Sequence, residues 1–165
     1  MASNTKAAIT VGAAIAALYL FRTKLSRQPV PSVTTSEGFD LSPYGGPISY
    51  PDGVKQMAQA IARAEGFYVA GSIPQRAHNP GDLKLSGYPT LGGGISVFDS
   101  DEAGWDALYK QLYRILTGQS GYYNIDMTIA DMAATWTATQ QGEWARNVSN
   151  FLGVDTSARL WQVLA

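Results

Sequence analysis

One glutamate in this chain stands where a carboxylate is out of place. In "IARAEGFYVAGSIPQRAHNPGDL", residues 61–83, Glu65 closes a run of helical periodicity and is followed by Gly66, Phe67 and Tyr68. A helix C-terminus carries partial negative charge and disfavours an anion. Partial burial beside two aromatics would raise the pKa of such a carboxyl and keep it protonated near neutral pH. That is the state a general acid needs to deliver a proton to a glycosidic oxygen. The plainer reading, from position alone, is an exposed glutamate at a fraying helix end.

Glycoside hydrolysis usually employs a second carboxylate, as nucleophile or as base for a water. Asp82, Asp99 and Asp101 are the nearby candidates, and each has a local explanation. Asp101 supplies first-turn helix charge, Asp99 lies just outside that helix's cap, and Asp82 belongs to an Asn-Pro-Gly-Asp turn where aspartate is common. None stands out as a partner. A single-carboxylate mechanism is therefore preferred, in which one group protonates the leaving oxygen and then assists an internal sugar hydroxyl.

Composition removes other chemistries. The chain has no cysteine, which excludes disulfides, thiolate nucleophiles and cysteine-based zinc sites. Its single histidine, His78, cannot build a multi-histidine metal centre and reads as a turn residue, so no metal is expected. A net charge of −1 argues against a nucleic-acid partner held by phosphate neutralisation. Charged residues make up only 15% of the chain, against about 25% in a typical soluble domain.

The first segment accounts for that deficit. "AAITVGAAIAALYLF", residues 7–21, has no charge and is bracketed by Lys6 and by Arg22, Lys24 and Arg27. As a helix it spans roughly 22 Å, short of a ~30 Å hydrocarbon core, with snorkelling basic flanks to extend it. It reads as an N-terminal transmembrane anchor. The rival readings are a signal-peptide h-region and a buried core helix. Basic residues concentrate after the span, which by the positive-inside rule places the remainder in a cytoplasm. A wall-degrading domain belongs on the other side, a conflict that disappears if the membrane belongs to a virus particle.

The organisation expected is an anchor with its basic flank over 1–27, a linker over 28–53 and a globular domain over 54–165. The linker holds five of the eight prolines and could attach to the domain through Tyr44 or Tyr50. About 110 residues remain, enough for a modest core. They read as a mainly α (α+β) domain. A first helix ends near Glu65–Gly66, and short β runs at 83–86 and 95–98 form a small hairpin. A long helix is capped by Ser100, closed by Gly118 and buried through Trp105, Leu108, Leu112 and Ile115. A helix opening on Thr128 and Asp131 follows, then helices over 142–152 and 156–164, the last capped by Asp155.

The order of a Glu at a helix end, a turn with "NPGDL", a β segment and then "FDSDEAGWDAL" resembles the lysozyme-like lytic transglycosylase domains of phage and prophage proteins. Among these are small phage structural proteins with Asn-Asn-Pro-Gly-Asn-type motifs; here Ala77-His78-Asn79 stands in place of successive asparagines. "MTIADMAATWT" and "WARNVSNFLGV" look like that family's closing helices. The resemblance covers about two-thirds of the chain, residues 54–154, and implies a lysozyme-like fold in which Glu65 is the catalytic acid/base. It also implies Asn79 as a hydrogen-bond partner to substrate in a cleft wall. Tyr122 and Tyr123 are candidates to stack on sugar rings, whereas Trp136 and Trp144 read better as core, and Ser96 receives no role.

The function so implied is a membrane-anchored, virion-associated peptidoglycan lytic transglycosylase. It would cleave the β-1,4 bond between N-acetylmuramic acid and N-acetylglucosamine to open the host wall during phage entry, acting in the periplasm. No cofactor is implied. Expected partners are peptidoglycan glycan strands, a membrane through residues 7–21, and other virion proteins or further copies of the chain. The alternatives are a hydrolytic muramidase and a structural virion membrane protein retaining an inactive lysozyme-like fold.

Overall fold

The computed structural model describes residues 49–165. The expected anchor, its basic flank and most of the linker, with Tyr44, lie outside them. Among the described residues no helix is long and apolar enough to cross a membrane.

Six α-helices and one two-stranded hairpin make up the domain. Helix α1, Asp52–Glu65, has its apolar residues at helical spacing, so Val54, Met57, Ala58 and Ile61 are all fully buried. It ends because Gly66 takes the left-handed conformation, φ 81°, and its N–H turns back to the carbonyls of Ala62 and Arg63. The helix begins two residues before the sequence suggested. Tyr50, ahead of it, is buried against Tyr109 and Tyr113 and donates its hydroxyl to Asp106 over 3.1 Å.

A short helix α2, Ile73–Arg76, which periodicity did not reveal, follows with Ser72 capping it. Next comes the hairpin, β1 (Thr90–Leu91) pairing antiparallel with β2 (Ile95–Ser96). This corrects the expected first strand at 83–86. Gly93 and Gly94 both adopt positive φ and make the tight reversal, so the chain just before the glycines becomes the partner of β2. Residues 83–85 still lie against β2: the N–H of Ser96 donates to the Leu83 carbonyl over 2.9 Å, and the N–H of Leu85 to the Ser96 hydroxyl over 2.7 Å.

Helix α3, Asp101–Leu116, is capped by Ser100 and buries Leu108, Leu112 and Ile115, as expected, while Trp105 is only partly buried. Helix α4, Ile129–Trp136, opens on a reciprocal Thr128–Asp131 capping box. Helix α5, Gln141–Leu152, precedes a short α6, Leu160–Leu164. The last helix is shorter than its periodicity suggested. The Thr156 and Ala158 carbonyls accept from the first N–H groups of α4, which keeps 156–158 in a turn outside the helix. Asp155 accordingly turns its carboxylate to the Ser157 N–H rather than capping a helix.

Helix α1 is the common wall of the domain, packed on α5, α3 and α6, with α4 lying on α5. Its last turn is therefore surrounded. Arg63 there holds its guanidinium near the rings of Tyr68, at 5.4 Å, and Phe151, at 5.1 Å, which ties the end of α1 to α5.

Candidate active site

Glu65 is the last residue of α1, and three elements converge on its carboxyl. From α5, the indole Nε1–H of Trp144 donates to Oε1 over 2.7 Å. From the end of α4, the Trp136 indole is also within hydrogen-bonding reach. From the turn after Asn79 comes the carboxyl of Asp82, whose charge and hydrogen-bonding reach both act on Glu65. The rings continue outward: Trp136 lies 6.1 Å from Trp144 and 5.7 Å from Tyr123.

These neighbours pull the acidity of Glu65 in opposite directions. Burial contributes most and raises its pKa, and the adjacent Asp82 charge raises it further. The two indole donors favour the carboxylate and lower it, leaving Glu65 at about 7 against an ordinary 4.5. Asp82 is raised to about 6 by burial, against the lowering effects of a hydrogen bond from Glu65 and the Lys84 charge. Glu65 and Asp82 thus both have raised pKa values and lie where they can share a proton. Such a pair holds one proton near neutrality, because two neighbouring buried carboxylates resist ionising together.

The turn that presents Asp82 is clamped from several sides. Asn79 is fully buried: its amide NH2 donates to the carbonyls of Leu83 (2.9 Å) and Ser96 (2.8 Å), and its oxygen accepts from the Leu83 N–H (2.9 Å). His78 contacts Asp101 through Nδ1 at 2.6 Å. A Cβ on Gly104 would come within 1.8 Å of the His78 carbonyl oxygen, so α3 and the turn meet where only glycine fits. Asp82 itself sits at φ 50°, a left-handed conformation that aspartate tolerates better than most residues.

The residues singled out in the sequence therefore separate. Glu65 stands at the centre of the constellation. Asn79, expected in a cleft wall, is fully buried with both amide hydrogens spent on backbone carbonyls, so it acts as a bracket joining the turn to β2. The residue at the other end of that bracket is Ser96, which accepts through its backbone carbonyl and is likewise fully buried. Tyr123 is half-buried and reaches the site through Trp136. Tyr122 is 80% exposed and lines an open hollow of about 370 Å³ together with Gly118, Ser120 and Asn124.

Sequence reasoning named Asp82 among three candidate carboxylates without singling it out as the neighbour of Glu65, and it missed that the core residue Trp144 reaches Glu65 too. A signal for the second existed, since a buried tryptophan needs an acceptor for its N–H and a carboxylate at a helix end supplies one. Asp82 gave no such signal, because its turn chemistry alone explains its residue type. Among the described residues no cluster of three or more metal-ligating side chains occurs. Comparison of the chain with protein-family models, with curated proteins and with solved structures gives no match.

Proposed function

We propose that the domain has a lysozyme-like fold and is a peptidoglycan lytic transglycosylase, with Glu65 as its acid/base. The observation that carries this reading is the environment of Glu65, a half-buried carboxyl at a helix end, its pKa pushed up to about 7 by burial and its Oε1 already hydrogen-bonded to an indole donor.

The reaction needs Glu65 in two states. As an acid it gives its proton to the oxygen linking the muramyl C1 to the next sugar's C4; the C1–O bond breaks and that oxygen departs as a hydroxyl. As a carboxylate it must then accept a proton from the muramyl 6-hydroxyl while the oxygen of that hydroxyl attacks C1, closing the 1,6-anhydro ring. Burial and Asp82 favour the first state. The Trp144 and Trp136 N–H groups favour the second, since donors aimed at an oxygen stabilise charge that develops there. Tyr123, continuing outward from Trp136, is a candidate surface for a sugar ring, with exposed Tyr122 beside it.

The wider setting follows from the N-terminal segment: anchorage through residues 7–21 in a phage particle, and opening of the host wall at entry. The test is digestion of purified peptidoglycan by the full chain and by Glu65→Gln, with products read by mass spectrometry. Anhydromuramyl ends from wild type alone are expected. Reducing ends would make the enzyme a muramidase, and no release by a folded wild-type chain would leave a structural wall-binding protein.

A further inference from the structure

The position of Asp82 carries a second conclusion, which rests on the reading of Glu65 as the acid. A carboxylate that acts on the sugar as nucleophile or as base for a water must stand across the scissile bond from the acid. Separations of about 5–5.5 Å serve a nucleophile and about 6.5–9.5 Å a water between base and sugar. Asp82 is instead within direct hydrogen-bonding reach of Glu65, too near to it to leave a sugar bond between the two carboxyls. One of its oxygens, Oδ1, is buried, so it is not an open base facing solvent. Its turn is held by the Asn79 bracket and by the close approach at Gly104.

We infer that Asp82 is a positioning residue for Glu65, a carboxylate clamped beside the acid that shares its proton until the glycosidic oxygen takes it, and that it does not itself attack or activate anything at the sugar. No covalent step passes through it. The proton moves from Glu65 to the leaving oxygen and later from the 6-hydroxyl back to Glu65, with Asp82 accepting a hydrogen bond before and after. The charged groups that act on the pair are Asp82 itself on Glu65 and Lys84 on Asp82; the facing groups from α4 and α5 are the uncharged indoles of Trp136 and Trp144.

The experiment is Asp82→Asn in the full chain, because asparagine tolerates the same left-handed backbone and removes only the charge. The side-chain carboxyl of Glu65 is titrated by carbon-13 NMR, its resonance assigned by its loss in Glu65→Gln. The midpoint is expected to fall by about one pH unit or more in Asp82→Asn, as removal of a neighbouring like charge requires. Asp82→Glu, which restores a carboxylate, is expected to move it back toward the wild-type value. In peptidoglycan digestion the alkaline limb of the pH–rate profile of Asp82→Asn should shift downward by the same interval, with turnover persisting on the acidic side. An unchanged Glu65 midpoint overturns the inference. So does loss of turnover at every pH in a folded Asp82→Asn, which would put Asp82 in the chemistry. Because the midpoint is read without substrate, a chain inactive on peptidoglycan would defeat the proposed function while leaving the pairing tested on its own.

Discussion

The indole Nε1–H of Trp144 meets Oε1 of Glu65 at 2.7 Å, joining two residues 79 positions apart in the chain. The contact makes one side chain serve the core and the site together, since the Trp144 ring is 5% exposed. Its donor also opposes the burial that raises the Glu65 pKa, which settles at about 7.

Replacing Trp144 by Phe keeps most of the ring and removes the donor. A hydrogen bond to a charged group contributes about 1.5–3 kcal/mol. The carboxylate should lose that support, the Glu65 midpoint should rise, and turnover should fall by roughly tenfold or more. The pH–rate profile checks this: its alkaline limb should move upward as the plateau drops, opposite to the shift expected for Asp82→Asn.

Glu65→Gln should reduce turnover by at least about 10²-fold, the usual contribution of a general acid. It should also change how stability depends on pH. The folded pKa of about 7 lies above the ordinary 4.5, so the folded state binds the extra proton. The corresponding stability is fully present below pH 4.5 and is lost as pH rises through 7. Glutamine mimics the protonated group at every pH. Thermal or denaturant unfolding should therefore find Glu65→Gln close to wild type near pH 4 and more stable near pH 8, by on the order of 2 kcal/mol. A difference that is the same at both pH values would show that Glu65 is not held protonated by the fold.

Asn79→Ala should destabilise the domain by about 2–4 kcal/mol, because two buried carbonyls and one buried N–H lose their partner together. Gly104→Ala attacks the same turn from the α3 side, where the added methyl would overlap the His78 carbonyl, at a cost of about 1–3 kcal/mol or more. Equilibrium denaturation gives both values. Asn79→Ala should lose activity in step with its stability, the signature of a bracket rather than of a substrate contact.

Tyr122→Ala, at an exposed position, should leave stability within about 0.5 kcal/mol of wild type. If the 118–125 segment receives a sugar ring, binding of glycan fragments should weaken by about fivefold to tenfold, as loss of about 1–1.5 kcal/mol of aromatic contact implies. Calorimetry with muropeptides of increasing length measures it. Unchanged affinity at every length would remove Tyr122 from the binding surface.

Local chemistry was legible without the fold. The end of α1 at Glu65–Gly66, the Ser100 cap, the Thr128–Asp131 capping box and the buried stripe of α3 each depend on residues within a turn or two of one another. The same holds for a carboxyl placed against a helix C-terminus beside Phe67. Short-range periodicity and capping determine such features, so the sequence alone determined a helical domain and the residue at its centre.

Tertiary structure decided the rest, for a physical reason common to all of it. Asp82 became a neighbour of Glu65 only when its turn was clamped onto α3 at Gly104. Asn79 became a bracket only when β2 brought the Ser96 carbonyl to its amide. Trp144 became a donor to Glu65 only when α5 packed on α1, and residues 156–158 stayed in a turn outside the helix because α4 needed the Thr156 and Ala158 carbonyls. In each case a polar group could be satisfied locally or at a distance, and burial selected the distant partner. Residue type and spacing determine which groups need partners; the packing of α1 among α3, α5 and α6, with α4 on α5, decides which partners they obtain.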